Sequence, residues 1–389
     1  MRVAMFTWES LHSILAGGIG VHVTELAAGL ERRGHEIHVI TRRKENQSFY
    51  DRIDGVHYHR VDHGVSDNFV ECMDMMCKAM AHKFHEITSM IGNFELVHAH
   101  DWLTANAMKY VMDGFGTRGI LSMHSTEYGR DGNVFYDGFA RWIRDAEAAG
   151  CHNASTIIAV SGFLADEVKR IYQVPHEKIH VVPNGVNFRE YDGFINPAEV
   201  KGRYGIAPLA PTVFSAGRMT AQKGMDMLVE AVPMVLNTYP ETKFIISGSG
   251  PEKDMVVNRA HEIGAAHAII FLDALPRWQY IDLMRSVDIF CLPSRNEPFG
   301  IVALEAWAAG KPVVATTAGG TKEFIWHDVN GFLVDANPGG IAHGIGSLLA
   351  DHDHCKALGA NGRRAVEEKF NWDTIAEYTE GVYNAVLNY

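Results

Sequence analysis

Short runs of apolar residues alternate with longer amphipathic stretches along almost the whole chain. The first unit is Val3 to Phe6 (VAMF), a glycine-rich loop, the helical pattern VHVTELAAGLERRG and a second strand, HEIHVIT. Later strand patterns are ELVHAH, GILSMH, TIIAVS and KIHVVP. A second series opens near Pro211 with TVFSAGR, a loop and a helix from Met225 to Asn237, and continues through KFIISG, AIIFL, DIFCLP and KPVVAT. Such alternation predicts an α/β architecture of parallel βα units with helices on both faces of each sheet. Two doubly wound lobes follow, over residues 1–190 and 205–370, with a hinge at Asn187 to Pro211, where Pro, Gly and charged residues cluster and apolar periodicity lapses. The last helical pattern, Trp372 to Tyr389, has no strand partner and is expected to pack back on the first lobe. Ligands of open parallel sheets bind beyond the carboxyl ends of the strands. The residues to read are therefore those just after each strand, where two facing lobes would present loops to a central cleft.

Composition narrows the function. A chain of 389 residues exceeds one ordinary core, and 47% hydrophobic residues is ample for two. The formal net charge of −12 argues against a basic nucleic-acid groove, so an anionic ligand must be met locally. The start, MRVAMFTWES, has an apolar run too short for a signal peptide. No stretch approaches the roughly 18 uncharged apolar residues of a membrane span, although peripheral contact through a surface helix stays open. Cys72, Cys77, Cys151, Cys291 and Cys355 are odd in number and lack C-x-x-C spacing, which suggests reduced thiols in a cytoplasmic protein.

Several strand ends carry candidate chemistry. In GRMTAQKG (Gly217 to Gly224), Arg218 and Lys223 could converge on an anion already favoured by a helix N-terminus, and a diphosphate fits that arrangement; a solvated basic loop is the plainer reading. AGGIGVHV (Ala16 to Val23) is the matching segment of the first lobe, where Gly17, Gly18 and Gly20 either let a ligand approach the backbone or simply turn the chain. As a dinucleotide fingerprint it fails, because Val23 stands where a third glycine belongs. FELVHAHDW ends a strand with His98, His100 and Asp101: polar site lining or sugar contact, packing, or metal, the last disfavoured because no further ligand of suitable spacing is evident. His124, in MHSTEYGR, lies in the same layer, as a substrate contact or a satisfied core histidine. Gly248 and Gly250, in SGSGP, either pass close to a nucleotide or make a tight turn, and DHDH (Asp351 to His354) reads as a solvated linker. Finally, SRNEPFGIVALEAWAAGKPVVAT sets Glu297 and Glu305 on either side of Pro298, Phe299 and Gly300, a sharp entry into a helix that leaves N–H groups near Gly300 and Ile301 free to face a ligand. Glu297 would accept hydrogen bonds from a polyol and Glu305 from a second diol such as ribose. Alternatively, both acids merely complement the helix dipole.

Taken together these segments resemble the retaining glycosyltransferases of the GT-B fold, most closely glycosyltransferase family 4 (group 1). The family's E-x7-E pattern is met by Glu297 and Glu305 in EPFGIVALE, its diphosphate pair by Arg218 and Lys223, and its amino-terminal glycine loop by Gly17, Gly18 and Gly20; PNGV (Pro183 to Val186) and GSGP also match. The resemblance implies two Rossmann-like lobes, the first on the acceptor side and the second binding a nucleotide sugar. It implies that Glu297 bonds donor sugar hydroxyls, Glu305 the ribose, and Arg218 with Lys223 the departing diphosphate. His124 would stand near the sugar's 6-hydroxyl and the reacting carbon, and Asp101 near acceptor or donor sugar. Gly217, Gly248, Gly250, Phe299, Gly300 and Ile301 would complete the donor pocket. Neither a metal nor another cofactor is required by the resemblance. MHSTEYGR resembles the segment of family members that extend α-glucans, which points to a glycogen-synthase-like transfer from UDP- or ADP-glucose. The alternatives are a mannosyl or glucosyl transferase making lipid-linked, surface or small-solute glycosides, a sugar-nucleotide epimerase, or a non-catalytic sugar-binding protein.

Overall fold

The computed structural model describes residues 1–15 and 17–388. Ala16, at the head of the glycine segment, and Tyr389, at the end of the last helical pattern, lie outside the described residues. The chain divides into two compact units: Met1–Tyr128 with Val134–Gly185 and Trp372–Tyr389, and Gly129–Asn133 with Val186–Asn371. In chain order it runs through β1 (Arg2–Phe6), α1 (Gly18–Arg32), β2 (Glu36–Arg42), β3 (Tyr50–Ile53), β4 (Val56–Val61), α2 (Phe69–Ile91) and β5 (Leu96–His100). There follow α3 (Trp102–Phe115), β6 (Arg118–Met123), α4 (Glu127–Arg130), α5 (Phe139–Asn153), β7 (Thr156–Ala159), α6 (Gly162–Tyr172) and β8 (Ile179–Val181). The second unit contributes α7 (Pro197–Arg203), β9 (Thr212–Ala216), α8 (Met225–Leu236), β10 (Lys243–Ser247), α9 (Lys253–Glu262), β11 (Ile269–Leu272) and α10 (Arg277–Ser286). It closes with β12 (Ile289–Leu292), α11 (Ile301–Ala308), β13 (Val313–Thr316), β14 (Phe332–Val334), α12 (Pro338–Ala350) and α13 (His352–Glu368), before α14 (Trp372–Leu387) returns to the first unit.

Among the described residues, the first unit holds an eight-stranded sheet in the order β3-β4-β2-β1-β5-β6-β7-β8, parallel except where β3 runs against β4. The second holds six strands in the order β11-β10-β9-β12-β13-β14. Each is doubly wound: the order reverses between β1 and β5 in one sheet and between β9 and β12 in the other, and at such a switch point the loops leave a crevice. These two crevices fix where the chemistry is to be sought.

The helices bury the faces that their periodicity predicts. In α1, Val23, Leu26, Ala27 and Leu30 are spaced i, i+3, i+4, i+7 and pack with Val3 and Met5 of β1, Ile37 and Val39 of β2, and Ile375, Ala376 and Tyr383 of α14. Each Val, Leu, Ile or Met side chain among them contributes about 1.5–3 kcal/mol by leaving water. Helices α1 and α14 approach closely, since a Cβ on Gly29 would stand 2.9 Å from the carbonyl oxygen of Trp372. In the second unit Leu228, Val232 and Val235 of α8 join Phe244 and Ile246 of β10 and Ile341 and Ile345 of α12 in one core.

Locally the structure adds to the sequence pattern. The stretch 187–211 holds a 3-10 turn at Phe188–Tyr191 and then α7, and the units divide at Gly185 and Val186. Pro197 occupies a helix start, where no N–H is needed, and Asn196 caps that helix by accepting from Ala198 N at 3.2 Å. The DHDH segment starts a helix, with Asp351 accepting from His354 N at 2.9 Å. Gly18 and Gly20 lie in the first turn of α1, ahead of the expected start. The β3–β4 hairpin was not foreseen; Asp54 and Gly55, at φ 50° and 82°, form its turn. All five cysteines are free and buried. Among the described residues no helix is long and apolar enough to cross a membrane.

Candidate active site

In the second unit, β9 and β12 are neighbours, so the loops that follow them meet. The loop after β9 makes a 3-10 turn at Ala221–Lys223, and Gly224, at φ 63°, leads into α8. Its backbone is tied to the loop after β12: Arg295 N donates to Gln222 O at 2.8 Å, and the Arg295 guanidinium holds both oxygens of Asp226, at 2.7 and 2.6 Å. The fork-to-fork geometry fixes direction as well as distance. Within this frame Lys223 Nζ lies 2.8 Å from Glu297 Oε2, and Ser294 Oγ donates to the same oxygen at 2.9 Å. Glu297 is 5% exposed, so its carboxylate is presented from a nearly dry wall. Arg218 is exposed and has no ion-pair partner among the described residues.

The backbone of Glu297 is pinned to the end of β13. Glu297 N donates to Ala318 O at 2.9 Å and Gly320 N donates to Glu297 O at 2.8 Å. Between them Gly319 sits at φ 126°, and a Cβ there would fall 2.1 Å from Glu297 O. No L side chain fits, so the glycine is what lets the two loops touch. Past Glu297, Gly300 at φ 103° turns the chain into α11 and Ile301 opens that helix. Phe299 does not present its ring to a ligand: it is 4% exposed and stacked on Phe324 at 4.9 Å between centroids.

Glu305, one helix face further, has both oxygens engaged, Oε1 by Arg277 Nη1 and Oε2 by the Tyr280 hydroxyl, each at 2.6 Å. Burial, and then the nearby carboxylate, push the Tyr280 phenol well above its ordinary pKa, so it is a proton donor. Each oxygen of Glu305 keeps a lone pair for a further donor. Gly248 and Gly250 have a structural reason to be glycine, because Cβ atoms there would stand 1.8 Å from Gly217 O and 2.4 Å from Met219 O.

The first unit repeats the principle with different chemistry. Strands β5 and β6 pair in parallel, with His100 opposite Ser122, and bring His98, His100, Asp101 and His124 to one end of the sheet. His98 is consumed internally: Nδ1 meets the Tyr383 hydroxyl and Nε2 meets Ser122 Oγ, both at 2.8 Å. Asp101, at φ 56°, uses Oδ1 to accept from His124 N at 2.8 Å, so it sets the backbone that carries the half-buried His124 ring. His100 Nδ1 lies 3.3 Å from His124 Nε2. From α1, His22 joins them, with ring centroids 4.5 Å from His124 and 5.4 Å from His100, and Nδ1 held at 2.7 Å by Asn184 Oδ1. Burial pushes His22, His98 and His100 well below the usual imidazole pKa and takes His124 to about 4. All four are neutral at pH 7. Beside them Gly17 N donates to Glu9 Oε2 at 2.5 Å, which closes the glycine segment, and a Cβ on Gly20 would stand 2.7 Å from Leu15 Cδ1.

The residues singled out from sequence thus fall into two groups. Arg218, Lys223, Glu297, Gly300, Ile301 and Glu305 border the second sheet's switch point, with Gly217, Gly248 and Gly250 on its β9–β10 side. Asp101, His124, Gly17, Gly18 and Gly20 border that of the first. Sequence reasoning missed His22, Glu9, Gly319, Arg277 and Tyr280. Only Gly319 had a local signal, a Gly-Gly pair directly after the strand KPVVAT.

Residues 16–190 match the family described as Glycosyltransferase Family 4, and residues 198–365 match the family described as Glycosyl transferases group 1. The chain is 34% identical to an uncharacterized glycosyltransferase of Methanocaldococcus jannaschii, over 100% of this chain and 99% of that protein. It is 28% identical to a glycogen synthase of Mycobacterium tuberculosis, over 99% of this chain and 95% of the other. In fold it is similar to sucrose-phosphate synthase from Thermosynechococcus elongatus, with a TM-score of 0.83 at 22% identity, covering 100% of this chain and 99% of that one.

Proposed function

The chain belongs to the family 4, group 1 glycosyltransferases of GT-B fold, which move a sugar from a nucleotide-sugar donor to an acceptor, and from that premise we propose that it transfers glucose from UDP- or ADP-glucose to a hydroxyl of an α-glucan with retention of configuration. The observation that carries the reading is the Lys223–Glu297 pair at the second sheet's switch point. A cation for the leaving diphosphate and an acid for the sugar hydroxyls stand side by side there, as the two ends of a sugar–phosphate bond require. The 28% identity to a glycogen synthase along nearly the whole chain favours the glucan acceptor.

Charge development sets the mechanism. As the anomeric carbon–oxygen bond breaks, the electron pair passes to the phosphate oxygen and the ring becomes oxocarbenium-like. Arg218 and Lys223 act on the growing negative charge, so they stabilise the transition state more than the ground state. Glu297 accepts from sugar hydroxyls and keeps the ring facing the attack. Glu305, oriented by Arg277 and Tyr280, accepts from the ribose. His124, neutral and held by Asp101, offers a ring nitrogen to the sugar; Asp101 acts as a positioning residue. The acceptor oxygen bonds to the anomeric carbon from the face that the phosphate leaves, and its proton goes to the departing phosphate oxygen. Front-face attack accounts for retention, and no step uses a metal.

The test is to incubate the full chain with UDP-glucose, ADP-glucose or GDP-mannose, with and without glycogen, and to follow nucleoside diphosphate release and the anomeric proton of the product. Glycogen-dependent release from a glucose donor with an α product is expected. Equal release without glycogen would remove the glucan acceptor, preference for GDP-mannose would remove glucose, and a β product would remove retention.

A further inference from the structure

The histidine cluster of the first unit carries more than a sugar contact needs. One ring nitrogen from each of His22, His100 and His124 lies within 4.8 Å of the other two. His22 and His100 are buried, while His124 is half-buried, so the trio has two dry members and one at its mouth. Asn184 accepts from His22 at Nδ1, which places the proton there and leaves Nε2 as a bare lone pair. That Nε2 has no hydrogen-bond partner among the described residues. A buried ring nitrogen left unpaired is costly unless something else takes it up.

The spacing fits a small cation. Two nitrogens about 2.0–2.1 Å from one tetrahedral zinc ion stand about 3.3 Å apart, which is the separation of His100 Nδ1 from His124 Nε2. His22 needs to close by no more than about an ångström and a half to complete a three-histidine set. Asn184 behind His22 is the kind of outer partner that fixes tautomer and ring direction in metal sites. The other histidine group, His38, His57 and His59, lacks this character, because His38 is already hydrogen-bonded through both nitrogens, to His59 and Glu36.

We propose that His22, His100 and His124 form a binding site for a borderline-soft divalent transition-metal ion, zinc being the natural probe, and that occupancy inhibits sugar transfer. The second half rests on the reading of His124 as a donor-sugar contact: a metal on its ring puts two positive charges beside a carbon that must itself become cationic. The metal is thus an inhibitor of the reaction, with no part in the transfer itself.

Titration of the chelator-stripped full chain with Co2+, followed by its visible absorption, and with Zn2+ against a competing chromophoric chelator tests the site directly. One equivalent in a four- or five-coordinate cobalt spectrum is expected, displaced by zinc. His22→Ala and His124→Asn should abolish it, and Asn184→Ala should weaken it about 10–100-fold. Melting curves without metal show that each variant is folded; His124→Asn, changed at the half-buried mouth, keeps the test alive if His22→Ala does not fold. Absence of binding in the wild type, or binding unaltered in folded His22→Ala and His124→Asn, overturns the site. Zinc bound at the trio with donor turnover unchanged leaves the site standing and overturns both the inhibition and the placing of His124 at the donor sugar.

Discussion

Lys223 and Glu297 illustrate how much one side chain's role depends on its neighbour. At 22% and 7% side-chain exposure the two are held together at the end of a sheet, so each presets the other for a ligand with a negative and a hydroxylated end. Lys223→Ala should lower kcat by about 10²–10³-fold, the usual loss for one preorganised transition-state contact, while the melting temperature moves by only a few degrees; full turnover in that variant would remove the phosphate assignment. Glu297→Gln releases Lys223 from its carboxylate, so transfer should fall while nucleoside diphosphate binding, measured by calorimetry, stays level or tightens. Equal loss of both would speak against a sugar contact. Both residues were legible in the chain because a charge just after an apolar strand has little to do in a core. Arg277 and Tyr280 were not, since α10 precedes β12 in sequence and meets Glu305 only through the packing of α10 beside α11.

Among the elements, the loops at β9, β12 and β13 work as one piece. Arg295 binds the first to the second, and Gly319 lets the third pass under Glu297. Gly319→Ala puts a methyl group about where Glu297 O now lies and imposes a φ that alanine disfavours. It should cost about 1–3 kcal/mol, seen as a lower denaturant midpoint, and should reduce kcat further by displacing Glu297. An unchanged midpoint would mean that the two loops are not joined as described. The β3–β4 hairpin shows the opposite limit of legibility. Tyr50–Ile53 and Val56–Val61 mix Tyr, Asp, Arg and His with few apolar residues, because β3 is an edge strand that remains half open to water. Its Asp-Gly turn was a clearer sign than its hydrophobic pattern.

At the scale of the whole molecule, pH is the lever. Histidines titrate near 6.5 in an unfolded chain. Folding holds His22, His98 and His100 far below that value, His124 and His38 at about 4 and His59 at about 3, chiefly through burial. Below 6.5 the unfolded state therefore binds protons that the folded state refuses. The stability due to neutral burial is complete above that pH and is lost as pH falls towards the folded values, by about 1.4 kcal/mol per pH unit for each ring. The melting temperature should drop steeply between about pH 6.5 and about pH 4.5, and a flat profile there would mean that the rings are solvated or already charged. What the sequence determined by itself was the alternation of strand and helix, the doubly wound class, and which strand ends carry glycines, acids and cations, because periodicity and turn chemistry act over a few residues. Tertiary structure alone decided which of those ends adjoin: β9 beside β12, β1 beside β5, His22 carried from α1 to His100 and His124. Strand order rests on pairings between segments tens of residues apart, and no local pattern encodes them.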